Sequence, residues 1–288
     1  MNRTMHHAAQ YSAGYAPGEK THKDENFPVA SYVIAKPYRQ AVLAFYRFAR
    51  AADDVADHPD LTEAQKIEQL DAFEATLLGH SDAVADALPL RSEIRSRNLS
   101  PVHAQDLLVA FRQDSRKQRY ATWQELLDYC RYSAAPVGRF VLDVHGESPS
   151  SWPANDVLCS ILQIINHLQD CGGDYTKINR IYLPQDRMRH YGVAESDLGA
   201  AQSSVALRHC LKECAQKTID LLPQAALSSQ VNNRRLRIEV TCIEQLSSRL
   251  LALLATRDPL SERVHLSKRQ LVGVMLKAVL VNLLKTHP

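Results

Sequence analysis

The stretch Phe45-Tyr46-Arg47-Phe48-Ala49-Arg50-Ala51-Ala52-Asp53-Asp54-Val55-Ala56-Asp57 decides how this chain reads. Its apolar residues recur with the period of a helix packed on one face, yet it carries three carboxylates. Asp53 and Asp57 are four residues apart and therefore stand one turn apart on the same face. Toward the N-terminus that face continues through Arg50 to Tyr46, while Phe45, Phe48 and Val55 are left to pack. Ionised carboxylates at this spacing repel by a few tenths of a kcal/mol on an isolated helix, which something must offset. Asp54 lies about 100° off the stripe and reads equally as support for it or as surface charge.

A second stretch repeats the pattern: Gln163-Ile-Ile-Asn166-His167-Leu-Gln169-Asp170-Cys-Gly-Gly-Asp174. Asp170 and Asp174 form the rung, with Asn166 and Gln163 at successive turns before it. Leu158, Ile161, Leu162 and Ile165 make the other faces apolar. Gly172-Gly173 should loosen or end this helix near Asp174. One acidic rung is as readily a solvated patch; two on apolar helices indicate a site. If the rungs face each other, four carboxylates converge and cannot all stay ionised without cations. All-oxygen ligation, with no His or Cys, suits Mg²⁺ that keeps waters and bridges to phosphate.

The rest of the chain agrees with a helical protein. The 10 Gly in 288 residues are about half the usual ~7%, too few for a fold built on many tight turns. Lys36-Pro37 opens a helix, and Ser100-Pro101 supplies an N-cap followed by Pro at the first helical position. Thr62-Glu-Ala-Gln65, Thr122-Trp-Gln-Glu125 and Ser267-Lys-Arg-Gln270 are capping boxes. Long apolar-periodic segments run over 154–174, 202–226 and 229–255. Gly79–Asp82 and Ser148–Pro153 read as loops, and Ile181-Tyr182-Leu183 is too short to found a sheet. The fold class expected is all-α: residues 1–24 a flexible polar tail, and 25–288 one domain of roughly a dozen helices.

With 34 basic and 32 acidic side chains the net charge is +2, which argues against dedicated nucleic-acid binding. Arg234, Arg235 and Arg237 read as a solvated helix face. The six cysteines show no CxxC and no zinc spacing, which suits a reducing cytoplasm. The N-terminus lacks an apolar signal core, and Leu271–Leu284 is the nearest approach to a membrane span, interrupted by Lys277 and Asn282. Leu266–Leu284 reads first as a core helix closing the bundle. The other reading is an interfacial helix with Lys268, Arg269 and Lys277 on its polar side, giving peripheral contact at the inner face of the membrane.

The chain resembles the squalene/phytoene synthase family of isoprenoid synthases from about Asn26 onward. The resemblance rests on Tyr46-x-x-x-Arg50-x-x-Asp53-Asp54-x-x-Asp57, Gln163-x-x-Asn166-x-x-x-Asp170-x-x-x-Asp174 and Arg180-Ile-Tyr182-Leu-Pro184. Tyr129 through Val137-Gly138 is similar to the family's kinked helix beside the substrate. Glu25–Ser31 and Asn166–Asp170 look like the subgroup of bacterial hydroxysqualene synthases of hopanoid biosynthesis. Two departures fit that subgroup: Glu25 and Gln169 stand where many relatives carry a basic residue. Fewer cations suit binding one presqualene diphosphate better than binding two farnesyl diphosphates.

The resemblance implies a helical bundle with a central active-site cavity. It implies conversion of presqualene diphosphate and water to hydroxysqualene and diphosphate, with Mg²⁺ and without NADPH, after an upstream presqualene diphosphate synthase. Asp53, Asp57, Asp170 and Asp174 would hold the metal, and Arg50 would share the charge of the leaving group. Tyr46, Gln163 and Asn166 would orient diphosphate or metal-bound water; Tyr129 and Tyr182 would line the cavity, and Arg180 would clamp diphosphate or pair with Asp186. His167 and Gln169 are candidates for placing the quenching water. The alternatives are a synthase that joins two prenyl diphosphates head to head and a non-catalytic relative acting as a scaffold. No GxGxxG dinucleotide fingerprint is present.

Overall fold

The structure, a computed structural model, describes residues 35–284. The expected tail and the Glu25–Ser31 motif lie outside the described residues. Twelve α-helices and no strands occur among those described: α1 Lys36–Ala56, α2 Glu63–Leu78, α3 Leu88–Arg97, α4 Val102–Asp114, α5 Trp123–Ser133, α6 Ala135–Val144, α7 Trp152–Gln169, α8 Cys171–Ile178, α9 Gln185–Tyr191, α10 Val205–Ile219, α11 Arg234–Leu254 and α12 Lys268–Leu284. Ile181 forms only an isolated parallel bridge with Arg119.

The local chemistry sets most boundaries. Thr62 and Gln65 satisfy each other's backbone N–H groups at the start of α2, and Gly79 ends it with φ 88°, a left-handed cap that costs Gly little. Ser267 and Gln270 make the same box before α12. At α5 only half of the expected box forms. Thr122 accepts from the Glu125 N–H, but the Glu125 carboxylate turns to Lys117 and the Ala121 N–H. Helix α4 starts one residue later than expected, with Pro101 as its cap. Ser148–Pro153 is not a plain loop: a 3₁₀ turn over Pro149–Ser151 runs straight into α7.

Two of the long periodic segments are interrupted. The 202–226 segment is helical only to Ile219 and continues as 3₁₀ turns, where Pro223 lacks a donor for a further turn. Helix α11 begins at Arg234 because the Asn233 side chain accepts from the N–H groups of Arg235 and Leu236. The break in the 154–174 segment falls at Asp170 (φ −100°, ψ 8°), and both Gly172 and Gly173 lie inside α8. The glycines therefore do not end the helix; it resumes after one irregular residue.

Two buried clusters divide the core. Phe45 and Phe48 of α1 pack with Phe73, Leu107, Phe111 and Phe140 from α2, α4 and α6. The other centres on α7, where Leu158, Ile161, Ile164 and Ile165 meet residues of α5, α10 and α11. The two acidic stretches thus sit on helices anchored in different halves of the bundle. Helices α6 and α7 approach closely at Gly138, where a Cβ would lie 2.0 Å from Asn155 Oδ1 and 2.7 Å from Cys159 Sγ. Asn155 Nδ2 donates to the Ala135 carbonyl at 3.2 Å across this contact.

Helix α12 departs from the core-helix expectation. It packs along α11 and buries only Val274, Ala278 and Asn282, leaving most of its apolar residues exposed. Asn282 Nδ2 donates to Thr241 Oγ1 at 3.0 Å and to the Ala278 carbonyl at 2.9 Å. At 100° per residue Lys268, Arg269 and Lys277 spread around the helix and do not share one polar side. No helix among the described residues is long and apolar enough to cross a membrane.

Candidate active site

Helix α1 buries Phe45, Phe48, Ala52 and Ala56 and leaves the Tyr46, Arg50, Asp53, Asp57 stripe half-buried. Arg50 Nη1 donates to Asp53 Oδ2 at 3.1 Å, and Nη2 lies 2.8 Å from Asp54 Oδ1. One guanidinium thus spans both carboxylates, and Asp54 is the support that fastens Arg50. Asp57 caps the helix, its N–H donating to the Asp53 carbonyl.

The second rung is held across the helix break. The Asp174 N–H donates to the Asp170 carbonyl at 2.8 Å, which keeps the two residues one turn apart. Beyond α8, Asn179 turns left-handed (φ 53°), and the Arg180 N–H returns to the Asp174 carbonyl. That turn sends the Arg180 side chain inward, where Nη2 donates to Asp57 Oδ1 at 2.9 Å. The segment behind the second rung therefore grips the end of the first. Asp186 is not the partner of Arg180; it pairs with Arg187.

Between the rungs lies a cleft of about 850 Å³, walled by Arg50, Asp57, Gln169, Asp170, Asp174 and Lys177 among others. Lys177 was not anticipated; it follows Asp174 by three residues, on the same α8 face. Gly172 makes room here: a Cβ would displace Leu260 Cδ2, 2.6 Å away, and press on the Leu198 carbonyl at 3.1 Å. Gln169 lines the cleft and donates its amide N–H to the Val264 carbonyl, strapping the 259–264 wall to α7.

Asp114 is the functional candidate that sequence reasoning missed. It is 3% exposed at the end of α4; Tyr129 Oη donates to its Oδ2 at 2.9 Å, and its Oδ1 has no partner among the described residues. Arg180 Nη2 donates to its carbonyl at 3.2 Å and Nη1 to Tyr182 Oη at 3.2 Å. One signal was available: Asp114 continues the apolar stripe of Leu107 and Phe111, where a carboxylate has no place without a task.

Burial pushes the Asp114 carboxyl up to about 7, against the pull of Arg180 and the Tyr129 hydrogen bond. Burial, then the charge of Asp57, pushes Asp53 up to about 7, with Arg50 opposing. Asp54 is raised as well, chiefly by burial. Burial thus holds Asp53, Asp54 and Asp114, beside and behind the cleft, above the usual carboxylate range, and Arg50 and Arg180 offset it only in part.

Tyr120, Tyr129, Tyr182 and His167 form a buried aromatic floor behind these charges. His167 stacks on Tyr182 with ring centroids 3.4 Å apart and planes 16° apart. Burial first, and Arg180 second, push its imidazole down to about 3. His167 belongs to this interior layer and lines a small apolar pocket with Ile164, Leu168 and Tyr182, whereas Gln169 reaches the cleft. Tyr129 and Tyr182 likewise support the site from behind. Tyr46, Gln163 and Asn166 are half-buried on the two rung-bearing helices.

The donor set bears on a metal. Among the described residues no three acidic, His or Cys side chains converge closely enough to cage an ion. The rungs offer oxygen only, with Asp57 on one wall and Asp170 and Asp174 on the other, and burial, then Asp57, drives Asp53 toward protonation. That combination fits a hard divalent ion that completes its shell with water and phosphate oxygens, as Mg²⁺ does, and does not fit zinc, which favours N and S ligands.

A helical bundle that walls one cleft with Arg50 and Asp57 from α1 and with Asp170 and Asp174 from the α7–α8 break has the architecture of an isoprenoid synthase. Residues 20–270 match the squalene/phytoene synthase family, and the chain belongs to that family. It is 50% identical over 263 residues to the hydroxysqualene synthase of Sinorhizobium fredii, covering 91% of this chain and 90% of that protein. The hydroxysqualene synthase of Rhodopseudomonas palustris is 50% identical over 262 residues, again covering 91% and 90%. The crystal structure of squalene synthase HpnC from Alicyclobacillus acidocaldarius superposes with a TM-score of 0.69 at 30% identity, over 79% of this chain and 86% of that one.

Proposed function

We propose that this protein converts presqualene diphosphate and water to hydroxysqualene and diphosphate. The observation that carries the reading is the 50% identity, over about nine-tenths of both chains, with hydroxysqualene synthases. Gln169 supports it from within the site: a neutral amide tethered to the Val264 carbonyl stands on the cleft wall beside Asp170 and adds no positive charge there.

In this reaction the bond between the substrate carbon and diphosphate breaks, and the electron pair leaves with diphosphate. The resulting cyclopropylcarbinyl cation rearranges, water adds its oxygen to it, and one proton is released. The sequence is redox-neutral and calls for no NADPH. Arg50 and Lys177 stand on the cleft where they neutralise phosphate oxygens. Arg180 holds Asp57 in place and stays cationic despite its burial, because Asp114, Tyr182 and Asp57 surround it. Asp53, Asp57, Asp170 and Asp174 would hold Mg²⁺, which supplies further charge neutralisation for the departing diphosphate. The aromatic layer of Tyr129 and Tyr182 keeps water out of the interior behind the cleft. The substrate would come from an upstream enzyme that makes presqualene diphosphate.

The description of the Alicyclobacillus relative as a squalene synthase favours a second reading, in which two farnesyl diphosphates are joined head to head. A product assay separates the two. Purified protein with Mg²⁺ and no NADPH receives presqualene diphosphate in one tube and farnesyl diphosphate in another, and products are identified by mass spectrometry. Hydroxysqualene from the first tube alone is expected. Presqualene diphosphate from the second would replace the proposed reaction with a head-to-head synthase, and no product from either would leave a scaffold role.

A further inference from the structure

Among the described residues, large exposed hydrophobic side chains are concentrated on α12; elsewhere only scattered valines qualify. Val272, Leu276, Leu280 and Leu284 are 53%, 66%, 56% and 72% exposed. They recur every four residues and so form a single stripe. At 100° per residue the centre of that stripe is about 180° from the centre of Val274, Ala278 and Asn282, the side fastened to α11. Leu271, Met275 and Val279 broaden it. A contiguous apolar face of this kind on a water-soluble bundle marks a binding surface.

The charge around it selects the occupant. From Arg263 to Pro288 there is no Asp or Glu, while Arg263, Lys268, Arg269, Lys277 and Lys285 are basic. A two-fold contact with a second copy would bring these cations against their own images with nothing acidic in the segment to pair them. An anionic surface meets them with opposite charge, and lysine stems reach past apolar residues to such a surface. Over its described residues the helix is too short and too charged to span a bilayer, so it would lie along one.

We infer that the exposed face of α12 docks the protein on an anionic phospholipid membrane, the Val272, Leu276, Leu280, Leu284 stripe entering the interface and Lys268, Arg269 and Lys277 of the same helix meeting headgroup phosphates. The place of this face relative to the cleft gives it a use. Pro259 and Leu260 wall the cleft, and α12 begins eight residues after Leu260. The chain that shapes the cleft therefore leads directly to the docked helix.

The test is co-sedimentation of the full-length protein with vesicles of phosphatidylcholine alone or mixed with phosphatidylglycerol, at low and high salt. Binding to the mixed vesicles, weakened by salt, is expected. Leu276→Glu/Leu280→Glu should lower the vesicle partition coefficient about a hundredfold or more without changing the melting curve, because both side chains point away from α11. Equal binding by the double variant, equal binding to neutral vesicles, or no binding by the wild type would each overturn the inference. A wild-type dimer that the double variant dissociates, with no vesicle binding, would assign the face to a second copy. Vesicle binding is read without turnover, so its outcome is separate from that of the product assay.

Discussion

Arg180→Met keeps most of the side-chain volume and removes a guanidinium that is 5% exposed. Three contacts go with it: Asp57 Oδ1 at 2.9 Å, the Asp114 carbonyl at 3.2 Å and Tyr182 Oη at 3.2 Å. Breaking a buried pair by deleting one partner costs about 3–5 kcal/mol, because the other charge stays behind. At roughly 2–4 °C per kcal/mol for a chain of this size, Tm should fall by about 6–20 °C. The loss should also depend on pH. The Asp114 carboxyl sits at about 7 rather than the ordinary 3.8, burial outweighing the pull of Arg180. A carboxyl raised in the fold gives up stability as pH climbs from its unfolded value to its folded one. Removing Arg180 raises the folded value further, so the window lengthens and the deficit deepens above pH 7. At pH 5 Asp114 keeps its proton in the fold of both proteins, and this part of the loss is absent. Calorimetric melts at pH 5 and pH 8 measure both effects. A loss under about 1 kcal/mol, or the same loss at both pH values, would refute the account of Arg180 as the buried clasp.

Asp174→Asn should lower turnover of presqualene diphosphate about 10²–10³-fold with little change in Tm, and near-native turnover would remove Asp174 from the site. Gly138→Ala should cost about 1–3 kcal/mol by overpacking, since its Cβ would fall 2.0 Å from Asn155 Oδ1. Combining it with Asn155→Ala should recover part of that loss in a double-mutant cycle; additive losses would count against the contact. His167→Phe keeps a ring against Tyr182 and should leave hydroxysqualene as the product. A shift to other alcohols or to alkenes, read by mass spectrometry, would show that the imidazole reaches the reacting cation after all.

Much of the fold was legible because its signals are local. The capping pairs at Thr62 and Ser267 and the four-residue spacing of each rung need no knowledge of the tertiary structure. The spacing showed two acidic stripes on apolar helices and left open whether they face each other; that Asp57, Asp170 and Asp174 share a cleft is a tertiary fact. What escaped detection depends on distant partners. Gly172 and Gly173 looked like a helix end, yet Gly172 is there for the approach of Leu260, nearly 90 residues away in sequence. Asp114 carries no neighbouring acidic mark, and only the packing of Tyr129 and Arg180 around it reveals a task. His167 lies next to the rung in sequence, but a neighbouring helix position points about 100° away, which turns the ring into the interior.

The Asn282–Thr241 hydrogen bond has a consequence for alignment. An apolar helix lying along another has little reason to prefer one register over the next, a turn of 5.4 Å away. Sliding α12 by that amount would break this one bond across the seam, at about 0.5–1.5 kcal/mol, while Asn282 keeps the Ala278 carbonyl and Thr241 the Arg237 carbonyl on their own helices. One amide thus works as an index pin. It sets the position of α12 along α11, and through the short connecting chain it limits how far the Pro259–Leu260 wall of the cleft can drift.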